Sequence, residues 1–410
     1  MTAPRDERAA GSTPRWRVTF AALGVTSYRQ WFLSQILSAS GTMAQVVALS
    51  WLVFELTHSG VALGLLTTAA LAPLLLTGPL AGTLVDRVNH RRLLLVTQSL
   101  YVALSVLMAV VTATGTVRVW MVFATAFAAG VVGAPDTAAR QVYANDLVGP
   151  ERLNSALSLN EVVINASRVV GPALGALLLA TAGVSACCWA NALSFVPSLL
   201  VLVRHRRLGV AARVVHPHHD PRFVVGWRYA WHHPTIRISL LLAAASGMLF
   251  NMSVPLPLLA TRVFHLGASG FGLMMSVFGV GGILGGLIAA GHAAPSRRSV
   301  LVLAAVTGAA VVATASAPTV GEFYAGLALT GAASIWFVAR ANALVQLETT
   351  PALRGRVMAV WSMALPGCMP VLSPLVGWVG TSLGARSGFA LSGVSLLALA
   401  GAGARRPRAR

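Results

Sequence analysis

Charged residues are scarce in this chain of 410 residues. Asp, Glu, Lys and Arg together make up 10% of it, apolar residues make up 56%, and the mean hydropathy is +0.75. A water-soluble domain of this length carries about a quarter of charged residues. The composition therefore excludes an ordinary soluble protein and predicts an integral membrane protein.

Lysine is absent, so the 30 positions counted as Lys or Arg are all arginines. A phosphate-binding loop of the form Gly-x-x-x-x-Gly-Lys-Ser/Thr needs its lysine to reach the phosphates. The sequence therefore excludes ATP hydrolysis at such a loop as a source of energy.

Cysteine is nearly as scarce, and Cys187, Cys188 and Cys368 all lie within apolar runs. Adjacent cysteines point apart on a helix, which favours packing thiols over a disulfide or a metal site. Histidines cluster in residues 204–235, where Asp220 is the one acid, and a solvated loop explains them better than metal binding. We expect no metal and no cofactor.

The chain instead contains about twelve long apolar runs. A helix needs about 20 residues to cross a bilayer, and most of the runs approach or exceed that length. We therefore predict an all-α integral membrane fold with 12 transmembrane helices, over 30–54, 61–84, 93–115, 118–140, 155–181, 185–203, 236–260, 270–291, 299–316, 320–344, 357–381 and 386–403.

The arginines are divided unevenly between alternate connections. One side has 26 of them and the other has Arg118, Arg262 and Arg386, while Arg168 lies inside a run. This asymmetry follows the positive-inside rule and places both termini and the 204–235 segment in the cytoplasm. The basic charge sets the topology, so it does not call for nucleic acid as a partner. We do not expect the first residues to be a cleaved signal, because two acids interrupt them and no short apolar core with a cleavage site follows.

The second half of the chain repeats the first. Gly171-Pro-Ala-Leu-Gly175 aligns with Ser373-Pro-Leu-Val-Gly377 at an offset of 202 residues (373 − 171). Two six-helix halves related in this way are a transporter architecture, with the substrate site between them near the middle of the membrane. We predict a cytoplasmic tail, a first bundle, a cytoplasmic loop, a second bundle and a cytoplasmic tail over 1–27, 28–203, 204–235, 236–403 and 404–410.

A charged turn at residues 82–92 connects the second and third runs. It carries the acid Asp86 together with Arg87, Arg91 and Arg92. Asn89 lies where the chain must turn, and asparagine tolerates the left-handed conformation expected there. An unpartnered acid at the membrane edge is costly, so we expect Asp86 to have a function.

With Gly82, the turn resembles the loop 2–3 signature of the major facilitator superfamily, Gly-x-x-x-Asp-Arg-x-Gly-x-Arg-Arg, in which Asn89 replaces the second glycine. The resemblance implies a conformational latch, in which Asp86 holds a basic or helix-end partner while the transporter faces outward. The alternative is a positive-inside anchor that contains an unrelated acid.

Asp136 and Arg140 end the fourth run and are four residues apart, so they can pair on one helical face. The pair could neutralise itself or serve as a partner set for Asp86. We favour the second reading and include both residues in the predicted latch.

The fifth run carries Glu161, Asn165 and Arg168 on one helical face. Charged side chains inside a membrane are costly and mark functional sites. We predict that this face lines a cavity and that Glu161 can be protonated. The alternative is a neutral polar seam that joins helices. Gln45, in the small and weakly polar centre of the first run, is a further cavity candidate, although close helix packing explains that centre equally well.

Further along the fifth run, Gly171 and Gly175 permit close helix packing, and Pro172 bends the helix. The Gly-Pro-x-x-Gly core resembles the helix 5 signature of antiporters in the superfamily, although the upstream glycines of that signature are missing.

Phrases such as Leu147-Val-Gly-Pro-Glu-Arg-Leu153 and Leu353-Arg-Gly-Arg-Val357 resemble the enterobactin-exporter-like, multidrug efflux branch. The resemblance implies proton-coupled export of a small amphiphile, such as a drug, siderophore or secondary metabolite, by alternating access. An importer or facilitator is the alternative, and a membrane-embedded enzyme is disfavoured because no convergent catalytic set is present. We expect a monomer in the lipid bilayer of the inner (plasma) membrane, driven by the proton gradient.

Overall fold

The computed structural model describes residues 20–205, 223–290 and 295–405. Every secondary-structure element assigned in these residues is a helix. Most of the predicted N-terminal tail and central loop, and the last five residues, lie outside this part. The α-helices are α1 Thr26–Thr57, α2 Gly60–Arg87, α3 His90–Ala113, α4 Val119–Val148, α5 Leu153–Ser194, α6 Val196–Arg204, α7 Phe223–His232, α8 Pro234–Phe250, α9 Pro255–Arg262, α10 Ala268–Ala290, α11 Arg297–Ala315, α12 Val320–Glu348, α13 Arg354–Ser382 and α14 Ala385–Arg405.

Within the described residues, ten helices are long and apolar enough to cross a membrane, or eleven if the bent pair α7–α8 counts as one span. The segment Ser155–Arg204 counts once, although Gly183 interrupts it with φ 76° and ψ −173°. The predicted run 236–260 divides into α8 and α9, which are both short. The all-helical membrane fold is confirmed, and the number of twelve crossings stays a prediction.

Polar side chains set several helix starts. Ser59 accepts a hydrogen bond from the amide of Ala62 at the start of α2, and Asn89 accepts one from the amide of Arg92 at the start of α3. Asn89 has φ −69° and ψ 117°, so the expectation of a left-handed residue is wrong. The reason is that the chain turns by capping a new helix, which requires an extended residue.

The helix pairings repeat between the two halves of the chain. In the first half α1 packs on α5, α2 on α4, and α3 on α5; in the second half α8 packs on α13, α10 on α12, and α11 on α14. The halves meet through two crossings, α2 with α13 and α5 with α10. The arrangement gives each half the same internal framework and the same kind of contact with its neighbour.

Glycines bring the backbones together at both crossings. A Cβ atom on Gly60 would lie 2.6 Å from the carbonyl oxygen of Gly377, and one on Gly279 would lie 2.7 Å from that of Arg168. We call the end with the 57–60, 262–268 and 382–385 connections the closed end. The opposite end, with the 87–90, 148–153 and 348–354 connections, is the basic end. The crossings run from mid-helix to the closed end.

The predicted small residues of α5 lie against α1. A Cβ atom on Gly171 would lie 2.7 Å from the carbonyl oxygen of Ser40, and one on Gly175 would lie 3.1 Å from the Cα of Ala44. Pro172 is inside the same helix and is buried. The packing therefore sets which face of α5 points at α1.

We expect Gly171→Leu to destabilise the folded protein by about 1–3 kcal/mol, because the larger side chain would force α1 and α5 apart. The melting temperature of the purified protein in detergent measures this effect. Gly401→Leu is the matched control, since nothing lies within 4 Å of a Cβ atom at that helical glycine. Equal melting temperatures for the two variants would contradict the proposed packing.

Candidate functional site

The predicted polar face of α5 lies between the two helices that α5 contacts. Gly171 and Gly175 pack on α1, and Ala176 packs on Gly272 of α10. Glu161, Asn165 and Arg168 lie on the helical face between those contacts, at positions that follow the 3.6-residue repeat. These three side chains therefore point towards the space between the halves.

The exposure of these residues agrees with that placement. Glu161 and Arg168 are exposed and Asn165 is half-buried. Asn165 donates from Nδ2 to the carbonyl oxygen of Glu161 at 2.8 Å. The structure thus brings the three predicted residues together on one accessible surface.

Arg168 reaches across to the second half. Its Cζ lies 6.0 Å from the centre of the Phe250 ring at the end of α8, and Phe250 contacts Phe278 of α10 edge-on, with ring centres 6.1 Å apart. Within the described residues, Arg168 has no hydrogen bond or ion pair with another side chain. A guanidinium has five N–H donors and no acceptor, so those of Arg168 remain available to a bound molecule.

Arg140 is in the opposite situation, because the first half neutralises it internally. It donates from Nε to Oδ2 of Asp136 at 2.5 Å and from Nη1 to Gln35 of α1. Asp136 also accepts from Thr97 of α3 at 2.7 Å, and Gln35 donates to Ser198 of α6 at 3.0 Å. The pair thus connects four helices of one bundle.

The predicted latch is only partly visible. The surroundings of Gly82 and the side chain of Asp86 lie outside the described part, so the proposed role of Asp86 stays a prediction. Arg87 is exposed at the end of α2, and the amide of Arg92 is capped by Asn89. Arg91 donates from Nε to the carbonyl oxygen of Leu202 at 2.5 Å, in the last turn of α6, where the helix dipole favours a cation.

Gln45 belongs to a separate polar cluster inside the first half. Its Oε1 accepts hydrogen bonds from Ser105 at 2.9 Å and from Asn191 at 2.5 Å, and Asn191 also accepts from Thr42 at 3.3 Å. Gln45 is buried, so the structure does not bring it to the α5 face. Sequence reasoning missed Asn191, whose signal was a lone amide in an apolar run.

A second missed residue, Asn251, lies where α8 ends. Its Nδ2 donates to Ser373 of α13 at 2.5 Å and to Thr67 of α2 at 3.1 Å. Thr68, next on α2, donates to the carbonyl oxygen of Pro370 at 2.6 Å. The signal in the sequence was an amide inside an apolar run, four residues before Pro255.

These bonds join the two halves, and more of them lie at the closed end. Arg262 donates from Nη2 to the carbonyl oxygen of His58 at 2.7 Å, and the amide of Gly60 donates to Thr381 at 3.2 Å. The halves are therefore tied together at the closed end, while Glu161 is exposed nearer the basic end of α5.

The fold and this surface between two repeated halves define a transporter of the major facilitator superfamily. The family model for the transmembrane secretion effector matches residues 17–407, so the chain belongs to that family. The prediction of a major facilitator transporter, rather than an enzyme, is confirmed.

Two relatives of the chain are transport proteins. The multidrug efflux pump Tap of Mycolicibacterium fortuitum is 27% identical over 379 residues, covering 88% of this chain and 91% of that protein. The staphyloferrin A transporter of Staphylococcus aureus is 27% identical over 265 residues. The match covers 63% of this chain and 66% of that protein, which is just under two thirds of its length.

Solved structures share the fold. The nucleoside transporter NupG has a TM-score of 0.67 at 13% identity, covering 92% of this chain and 96% of that one. A bacterial homologue of the iron transporter ferroportin, in an inward-facing state, has a TM-score of 0.64 at 19% identity, covering 92% and 98%. At these identities the similarity shows the architecture alone.

We expect Asp136→Asn to destabilise the protein on the order of 3 kcal/mol, because it leaves the half-buried guanidinium of Arg140 without its counter-charge. The side chains of Arg140 and Asp136 are 23% and 5% exposed, so water screens the pair weakly. Thermal melting in detergent measures the loss. The double variant Asp136→Asn, Arg140→Gln should recover part of it, and a double variant less stable than the single one would contradict the pairing.

Proposed function

We propose that the protein exports a small amphiphilic molecule, such as a drug, siderophore or secondary metabolite, by alternating access. The observation that carries the proposal is the exposed Glu161–Arg168 face between two halves that hydrogen bonds tie together at the closed end. Two relatives, a multidrug efflux pump and a staphyloferrin A transporter, support the same class of substrate. Because the proposed path lies between two halves of one chain, a monomer suffices.

The proposed orientation rests on the arginines. The basic end carries most of them, and the positive-inside rule places such an end in the cytoplasm, together with both termini. The described conformation would then be shut towards the outside and accessible from the cytoplasm. A molecule entering from the cytoplasm would meet Glu161 before Arg168.

The proposed drive is proton antiport, with Glu161 as the group that gains and loses the proton. An ionised Glu161 contributes a negative charge to the cavity, and protonation removes that charge. The energies of the loaded and empty carrier then depend on the proton supply at each side. Arg168 would hold oxygen acceptors of the substrate, while Phe250 and Phe278 offer apolar surface to its body.

A panel of labelled amphiphiles in everted membrane vesicles tests the proposal, with an imposed proton gradient that is then collapsed. We expect accumulation inside the vesicles while the gradient lasts and release after its collapse. Equilibration to the outside concentration, unaffected by the gradient, would favour a facilitator, and a covalently altered compound would favour an enzyme. Either result would contradict the proposal.

We expect Glu161→Gln to abolish accumulation driven by the proton gradient, because the amide cannot exchange a proton. Exchange of labelled for unlabelled substrate down its own gradient should remain, since it needs no proton. Both rates are measured in the same vesicles. Glu322→Gln is the control, as Glu322 is exposed at the first turn of α12 near the closed end. A Glu161→Gln protein that still concentrates substrate would remove Glu161 from the coupling.

We expect Asp86→Asn to abolish transport while membrane insertion and expression stay normal. The reason is that a neutral side chain cannot hold the basic or helix-end partner that the latch requires. Vesicle uptake, normalised to the amount of protein, gives the measurement. Undiminished uptake would mean that the 82–92 turn acts as a topological anchor only.

A further inference from the structure

The short helix α7 lies across the base of the second half. Its axis is bent by 103° from that of α8, so α7 lies near the plane of the bilayer if α8 crosses it. One side of α7 packs on α13: Ala230 is buried, and a Cβ atom on Gly226 would lie 2.9 Å from the carbonyl oxygen of Arg356. The helix is therefore seated firmly on a spanning helix.

The other side of α7 exposes a pair of indoles. Trp227 and Trp231 are 49% and 42% exposed, although each is a large apolar side chain. Their rings stack with centres 5.6 Å apart and planes 12° apart. Tryptophan is characteristic of the headgroup level of a membrane, because the indole has both an apolar body and an N–H donor.

The charges around these indoles are positive. Arg228 is exposed between them, and its side chain has no protein partner within the described residues. Arg237, one turn into α8, places Nη1 3.4 Å from the carbonyl oxygen of Trp231. Residues 223–240 contain no Asp or Glu, and the neighbouring acid Glu348 lies 3.7 Å from His233.

We propose that α7 and the start of α8 form a binding site for the headgroup of an anionic phospholipid. Arg228 and Arg237 would hold its phosphate, since guanidinium groups bind phosphate through paired N–H donors. The stacked indoles would lie beside the upper part of the acyl chains. A neutral or zwitterionic headgroup offers less complementary charge to the same surface.

The lipid site is also connected through α13 to the crossing between the two halves. An effect of lipid on transport would follow, and this consequence rests on the proposed function. Helix α13, on which α7 is seated, meets α2 of the other half at Gly377 and Pro374. A lipid that holds α7 in place restrains α13 and thereby the crossing between the halves. Anionic lipid should therefore change the transport rate as well as bind.

Binding can be tested without transport, using the full chain purified in detergent. Melting temperature is measured during titration with phosphatidylglycerol, phosphatidylcholine or inorganic phosphate. We expect phosphatidylglycerol to raise the melting temperature with saturation, and the other two to have little effect. A rise with inorganic phosphate alone would indicate a general anion site and overturn the lipid proposal.

Variants locate the site. Arg228→Gln and Arg237→Gln should each weaken the apparent affinity for phosphatidylglycerol about fivefold, the effect of one arginine at an anionic membrane surface. Arg298→Gln is the matched control, an exposed arginine at the start of α11 near the same end. Equal weakening by Arg298→Gln, or none by the α7 variants, would overturn the proposal.

The transport consequence has its own measurement. Proteoliposomes with and without phosphatidylglycerol should differ in export rate for the native protein and differ less for Arg228→Gln. Should export be absent in every lipid while the melting shift and its loss in Arg228→Gln persist, the proposed function would fail and the lipid site would stand. An unchanged lipid dependence in Arg228→Gln would contradict the link to α13.

Discussion

Every charge that this protein carries into the bilayer must be neutralised or used, and Arg140 and Arg168 show the two outcomes. Arg140 is held by Asp136 and Gln35, so its charge is balanced inside the first half. Arg168 has an aromatic ring beside it and no ion-pair partner in the described region. Because a guanidinium without an ion-pair partner is costly in a membrane, the position of Arg168 between the halves agrees with the proposed substrate path.

The two arginines also belong to different parts of the first half, one to a network that holds helices together and the other to the face proposed to bind substrate. The Asp136–Arg140 pair, with Thr97 and Ser198, connects α1, α3, α4 and α6 into one rigid unit. A rigid half is a requirement for alternating access, since a bundle that deforms cannot rock as one body. The Glu161–Arg168 face lies outside this network and can change its surroundings when the halves move.

Local patterns predicted much of this arrangement. The spacing of Glu161, Asn165 and Arg168 placed them on one face because helical periodicity is a property of the sequence. Gly171 and Gly175 predicted a close approach for the same reason, but the sequence could not tell which helix would approach.

The missed residues share a physical cause. Asn191 and Asn251 acquire their roles from partners on other helices, and such pairings depend on how the bundle is assembled. Gln45 was predicted to line the cavity on polarity alone. The structure places it among Ser105 and Asn191 instead, because a buried amide needs hydrogen-bond partners wherever it lies. The break after α8 falls within the mainly apolar run 236–260, where Asn251 and Pro255 interrupt the composition without fixing where the helix ends.

Each of the two crossings contains a proline, Pro172 or Pro374, that leaves one helix carbonyl oxygen without its backbone partner. Pro172 has no N–H, so the carbonyl oxygen of Arg168 four residues earlier loses its helical partner. That oxygen faces Gly279 of the other half. Pro374 is aligned with Pro172 and frees the carbonyl oxygen of Pro370 in the same way.

The two freed oxygens meet different partners, however. The hydroxyl of Thr68 donates a hydrogen bond to the carbonyl oxygen of Pro370 at 2.6 Å. The carbonyl oxygen of Arg168 lies against the backbone of Gly279. A hydrogen bond must break before the surfaces that it joins can move apart, so the Thr68 hydroxyl adds a restraint to the α2–α13 crossing. Within the described residues no side chain donates to the carbonyl oxygen of Arg168, so the α5–α10 crossing has no such restraint at the equivalent position.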